Sequence, residues 1–139
     1  MIKEKILKHK KLILEIIILI LIILYAVSLS PKRLQNDTYY TIAIGKLITE
    51  NGIDMQEHFT WHQGLPYTYP HWLYDLLIYS IFSIGSFKGI YISTCILSAI
   101  LGISIYKVNS KLTGNKIISF LVTIGSLHLM KGYIAARAQ

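Results

Sequence analysis

Asp37 is the carboxylate best placed for chemistry, seven residues beyond a long uncharged run that closes at Ser30. A carboxylate in that position can serve as a general base or hold a divalent metal. It can equally cap a helix beginning at position 38, by accepting from the first free amides. A second group, Asp54, His58 and His62, recurs at intervals of four. On a helix these three would share a face and could hold a divalent metal. Phe59-Thr60-Trp61, Gly64 and Pro66 point instead to irregular backbone with the three side chains solvated. His71, Asp75, Tyr79 and Ser83 also recur every four residues, which makes a polar stripe on an otherwise apolar helical segment. Arg137 carries a guanidinium suited to bidentate phosphate binding, and equally suited to anchoring a helix end at an interface. Cys95 is the sole cysteine and sits among apolar residues, so no disulfide, zinc site or thiol chemistry follows from it. His128, inside another apolar run, reads as an interhelical polar residue.

The elements that must position these groups follow from composition. Of 139 residues, 53% are hydrophobic and 15% charged, where a soluble domain carries about 25% charged residues. From Ile16 to Ser30 no residue is charged. With residues 12–14 that run reaches the roughly 17–25 residues needed to cross a ~30 Å hydrocarbon core. Glu15 lies within one turn of its basic end, in reach of headgroups. Lys3, Lys5, Lys8, Lys10 and Lys11 precede the run and predict a cytoplasmic N-terminus. The run exceeds the roughly 7–15 residues of a signal-peptide core, so a signal anchor is expected. Cleavage at Ala26-Val27-Ser28 is the alternative. The net charge of +7 clusters beside hydrophobic runs, as topology determinants do, without a basic groove interleaved with aromatics. Nucleic acid is therefore not an expected partner, whereas anionic lipid headgroups are.

The expected architecture is an all-α integral membrane protein. A basic cytoplasmic tail covers 1–11 and a first span 12–30. A large extracytoplasmic loop covers 31–86 and holds juxtamembrane helices at about 38–51 and 71–85. A second span covers 87–106, a cytoplasmic loop with the turn Thr113-Gly114-Asn115 covers 107–116, and a third span covers 117–133. The helix at 38–51 has apolar spacing at Tyr39, Ile42, Ala43 and Leu47 and stops at Asn51-Gly52. Segment 71–85 is short for a span of about 20 residues, and Asp75 facing lipid would cost several kcal/mol. An interfacial helix meets both constraints, giving three spans; four is the alternative. Lys and Arg number eight inside and six outside in either case. Trp61, Tyr67, Tyr69 and Trp72 fit an aromatic belt at headgroup level. The chain ends straight after a helix, so an N-terminal portion of a longer membrane domain is expected, with further membrane helices from the same or another chain as partners.

One span, then Asn36-Asp37-Thr38-Tyr39-Tyr40, then a short helix ending near Gly52, resembles the start of GT-C superfamily membrane glycosyltransferases. These include protein O-mannosyltransferases and lipid A aminoarabinose transferases. The run from Asp37 through Phe59-Thr60-Trp61, Pro70-His71-Trp72-Leu73 and Gly85 to Ala136-Arg137-Ala138-Gln139 is similar to longer, GT-C-like bacterial polytopic proteins of uncharacterised function. The resemblance covers roughly residues 20–139. It implies a bacterial plasma-membrane location, a polyprenyl-phosphate-linked sugar donor and an essential acidic residue in the first extracytoplasmic loop, matched by Asp37. Arg137 matches a phosphate-binding residue, and Tyr40, His71 and Asp75 are the further candidates for substrate contact. A divalent metal ion is a candidate cofactor. The family's second acidic neighbour is missing, since Thr38 follows Asp37. The function so implied is transfer of a sugar from the lipid-linked donor to an extracytoplasmic acceptor. The alternative is a non-enzymatic small membrane subunit or part of a polysaccharide exporter.

Overall fold

The computed structural model describes residues 2–31, 35–62 and 64–136, with side chains from residue 9 onward. The described chain is all-helical: α1 (Ile2–Leu29), α2 (Asn36–Asn51), α3 (Trp72–Thr113) and α4 (Lys116–Leu129), followed by a 3-10 turn at Met130–Tyr133. Two helical stretches, His9–Leu29 and Trp72–Thr113, are long and apolar enough to cross a membrane. At 1.5 Å per residue the first reaches about 31 Å.

Several boundaries differ from the sequence expectation. Helix α1 begins within the basic tail, because lysine and glutamate are good helix formers. Helix α3 joins the segments expected at 71–85 and 87–106 and runs on to Thr113, leaving Gly114 and Asn115 as the connection to α4. It is broken once, at Ser86 (φ 51, ψ −150). A serine there occupies backbone space that favours glycine and costs on the order of 1–3 kcal/mol. The break falls between the two segments that hydropathy separates. Helix α4 has 14 residues, about 21 Å, before the backbone tightens into the 3-10 turn, and is shorter than the expected 117–133.

The chain divides into two compact units, Met1–Lys32 with Ile92–Ala135 and Arg33–Tyr91 with Ala136–Gln139. In the first, Ile18, Ile22, Ala26, Tyr106 and Leu127 form the core. Ser98 meets Ser30 (Oγ to Oγ 3.2 Å), while a Cβ on Gly102 would stand 2.9 Å from Ile22 Cγ2 and 3.7 Å from Ala26 Cβ. The second half of α3 therefore runs antiparallel to α1. Lys116 pairs with Glu15 at 2.6 Å, and the Tyr25 hydroxyl and His128 Nδ1 lie 3.0 Å apart, so α4 runs parallel to α1. His128 thus takes the interhelical hydrogen bond expected of it. Asn115 caps α4, its side-chain oxygen accepting from the amides of Ile117 and Ile118. Outward from this core, Leu12, Ile17, Leu24, Leu97, Ile100 and Leu121 are all exposed. A soluble surface rarely carries so much apolar area.

In the second unit α2 packs against the first half of α3. Ile42, Ile78 and Ile90 are buried together with Ala136, and Ile44 and Ile48 with Tyr69. The buried stripe of α2 is Thr38, Thr41, Ile42, Ile44, Gly45 and Ile48. Tyr39 points out instead of in, and stacks edge-on against Phe87 at 5.6 Å. Gly45 is required where the two helices cross: a Cβ there would run into the Asp75 carbonyl oxygen and stand 2.6 Å from Tyr79 Cβ. Helix α2 ends as expected at Asn51, with the Gly52 amide donating to the Ile48 carbonyl at 2.8 Å.

Candidate functional site

The stripe that α2 turns inward is partly polar, and the first two turns of the helix border a cavity of about 180 Å³. That is the share of about six water molecules at ~30 Å³ each. Asp37, Tyr40, Thr41 and Ile44 line it from α2, His71 and Asp75 from the start of α3, and Tyr67 and Pro70 from the intervening loop. Four of the five residues picked as catalytic or substrate-contacting, Asp37, Tyr40, His71 and Asp75, thus share one cavity. The fifth, Arg137, lies outside the described residues. Its chain neighbour Ala136 is buried in the same unit, where its carbonyl accepts from the Thr38 hydroxyl at 2.7 Å.

The two carboxylates differ in setting. Asp37 is exposed and stands in the first turn of α2. It is not the cap: the helix begins at Asn36, and Gln35 takes the cap position without a side-chain hydrogen bond. First-turn placement sets Asp37 beside the free amides of the helix start. Asp75 is 5% exposed, and the equally buried Thr41 hydroxyl hydrogen-bonds to it. Of the stripe at 71, 75, 79 and 83, only Asp75 turns fully inward, against α2, with Tyr79 beside it. His71 stays exposed at the cavity and Ser83 is solvent-facing.

Loop geometry brings Tyr67 to the cavity. Gln56 and Pro66 form an antiparallel bridge, Glu57 N–H donates to the Leu65 carbonyl and Tyr67 N–H to that of Met55, both at 2.9 Å. The returning segment sets the Tyr67 hydroxyl 2.6 Å from that of Tyr40, and Phe59 packs on the Tyr40 ring at 5.3 Å. Loss of hydration first, then the bond to Tyr67, pushes the Tyr40 phenol well above its ordinary range. The Tyr40 phenol thus stays protonated at physiological pH.

Behind this wall, Asp54 and His58 do come together, with Nε2 2.6 Å from Oδ2. Asp54 also accepts from the Gln56 amide and from the Tyr69 hydroxyl, each at 3.1 Å. The Gln56 amide chiefly, then His58, holds the Asp54 carboxyl below its ordinary 3.8. Burial and the bond to Asp54 push the Tyr69 phenol up to about 12. His62 does not join them and stacks on Trp61 at 3.9 Å. Among the described residues no group of three His, Cys, Asp or Glu side chains is arranged to hold a metal. The backbone here is irregular, so the spacing of four does not translate into a shared face.

Thr41 and Tyr67, which line the cavity, and Tyr69, which holds the loop behind it, are residues that sequence reasoning missed. Thr41 stands one turn after Asp37, a spacing that was readable once a helix was assigned there. The two tyrosines read as belt aromatics because nothing local reveals the bridge that folds the loop back. No family model, curated protein or solved structure matches the chain.

Proposed function

We propose that this chain is a membrane glycosyltransferase of the GT-C type, or the N-terminal portion of one. It moves a sugar from a polyprenyl-phosphate-linked donor to an acceptor on the extracytoplasmic side. The observation that carries the reading is the convergence of Asp37, Tyr40, His71 and Asp75 on one cavity from segments 38 residues apart. In this reading α1, the part of α3 beyond Ser86, and α4 with its 3-10 turn cross the bilayer, with the N-terminus cytoplasmic. Residues 31–86 then lie outside, α2 and the first half of α3 resting at the membrane surface. The apolar side chains exposed along α1, α3 and α4 support contact with lipid.

Asp37, open to solvent, is the base. It takes the proton of the acceptor hydroxyl as that oxygen bonds to the anomeric carbon of the donor sugar. The bond from that carbon to the phosphate oxygen breaks, and the polyprenyl phosphate leaves with the electron pair. Asp75, fixed by Thr41, and the Tyr40–Tyr67 phenols orient hydroxyl groups of the sugar. Arg137 binds the departing phosphate. Holding a lipid substrate beside the bilayer supplies the effective concentration that a dissolved enzyme would lack.

The test is glycosyl transfer by membranes that carry the full-length protein. Asp37→Asn should abolish transfer while membrane insertion stays normal. Wild-type turnover in that variant overturns the assignment.

A further inference from the structure

The first unit ends in a ring of lysines that the transfer reaction does not use. Lys116 Nζ sits 2.6 Å from Glu15 Oε2 and reaches the Lys11 carbonyl oxygen at 3.4 Å, which brings the start of α4 beside residues 11–15 of α1. Because only Gly114 and Asn115 separate α3 from α4, the last turns of α3 carry Lys107 and Lys111 to the same end. Lys10, Lys11, Lys107 and Lys111 are all exposed. In the sequence, residues 1–11 and 107–116, with Glu15, hold eight lysines against two glutamates, six of the chain's net seven positive charges.

What lies next to the ring identifies its partner. Leu12 and Ile13 on α1, Val108 and Leu112 on α3, and Ile117 and Ile118 on α4 are exposed beside the lysines. Cation gives way to bare apolar surface within a turn on α1 and α4, while on α3 Val108 and Leu112 are interleaved with Lys107 and Lys111. A soluble acidic partner would cover the charges and leave that collar wet. A bilayer leaflet matches both: the apolar collar enters the acyl layer, and the lysine stems reach up to the phosphates.

We propose that this end of the first unit binds the anionic phospholipid headgroups of one leaflet. Lys10, Lys11, Lys107 and Lys111 make the contacts, and Glu15 withholds Lys116 from them. The inference rests on the membrane reading and not on the transferase reading, so either can fail alone.

The full chain is reconstituted in vesicles with trace spin-labelled phosphatidylglycerol or phosphatidylcholine, and the motionally restricted fraction of each label is compared. A several-fold preference for phosphatidylglycerol is expected. It should vanish in about 1 M salt, where the screening length is ~3 Å. The combined Lys→Gln variant at 10, 11, 107 and 111 should lose it, Lys88→Gln with Lys131→Gln should keep it, and Glu15→Gln should raise it. Equal restriction of both labels, or a preference that survives the four-lysine variant, overturns the proposal. So does loss of the preference when inorganic phosphate is added at unchanged ionic strength, since the site would then read a free anion.

Discussion

Gly45 and Asp75 touch backbone to backbone: the space where a side chain on Gly45 would begin is filled by the carbonyl oxygen of Asp75. The same contact seats Thr41 against the Asp75 carboxylate one turn away. A rigid group therefore sets the spacing of the two helices that carry the cavity's carboxylates.

Gly45→Ala should lower stability by about 1–3 kcal/mol, because a carbonyl cannot swing aside as a side chain can. Gly102→Ala is the contrast. Its Cβ would meet side chains and no backbone, Ile22 Cγ2 at 2.9 Å, Leu127 Cδ1 at 3.3 Å and Ala26 Cβ at 3.7 Å. The roughly 1 kcal/mol that alanine gains over glycine in a helix offsets that crowding. Thermal unfolding in detergent should separate the two variants clearly. Equal melting temperatures would deny the close crossing at Gly45.

Thr38 is 1% exposed and its hydroxyl serves the Ala136 carbonyl. Thr38→Val keeps the shape and leaves that carbonyl short of a donor, at a cost of about 1–3 kcal/mol. Amide exchange over residues 133–136 should quicken, and Thr38→Ser should restore protection. Unchanged exchange in the valine variant would show that the bond does not hold this segment.

The Tyr40–Tyr67 pair suits a double-mutant cycle. Each Tyr→Phe change removes the same 2.6 Å hydrogen bond. The double variant should cost less than the sum of the singles, with a coupling of about 0.5–1.5 kcal/mol. Strict additivity would mean that the phenols do not meet.

Acid should loosen the loop through Asp54. Its folded value lies below 3.8, so its contribution is fully present above that pH and is lost as pH falls through the depressed value. Proteolysis at Phe59 and Trp61 should accelerate in that window for the native chain. In Asp54→Asn, cleavage should already be fast at neutral pH and show no such step.

The long helices were legible because apolar runs without charge, 16–30 and 89–106, have few other solutions, and Asn51-Gly52 gave away the end of α2. The inward face of α2 was not legible. Thr38, Thr41 and Gly45 carry no hydropathy signal, so Tyr39, Ala43 and Leu47 looked like the buried side. Asp37 and Asp75 stood out as carboxylates near apolar runs, yet their convergence depends on the helix crossing at Gly45. The pairing of Gln56 with Pro66 is set by tertiary closure over nine intervening residues, which no local pattern marks. By its sequence alone Tyr67 therefore reads as a belt aromatic.

The bridge between Gln56 and Pro66 isolates what lies beyond it. Trp61, 88% exposed in the segment closed by that bridge, is not among the residues that line the cavity. An epitope tag spliced in beside it should leave the folded wall undisturbed, making this tip a convenient port for antibodies that report sidedness in intact cells.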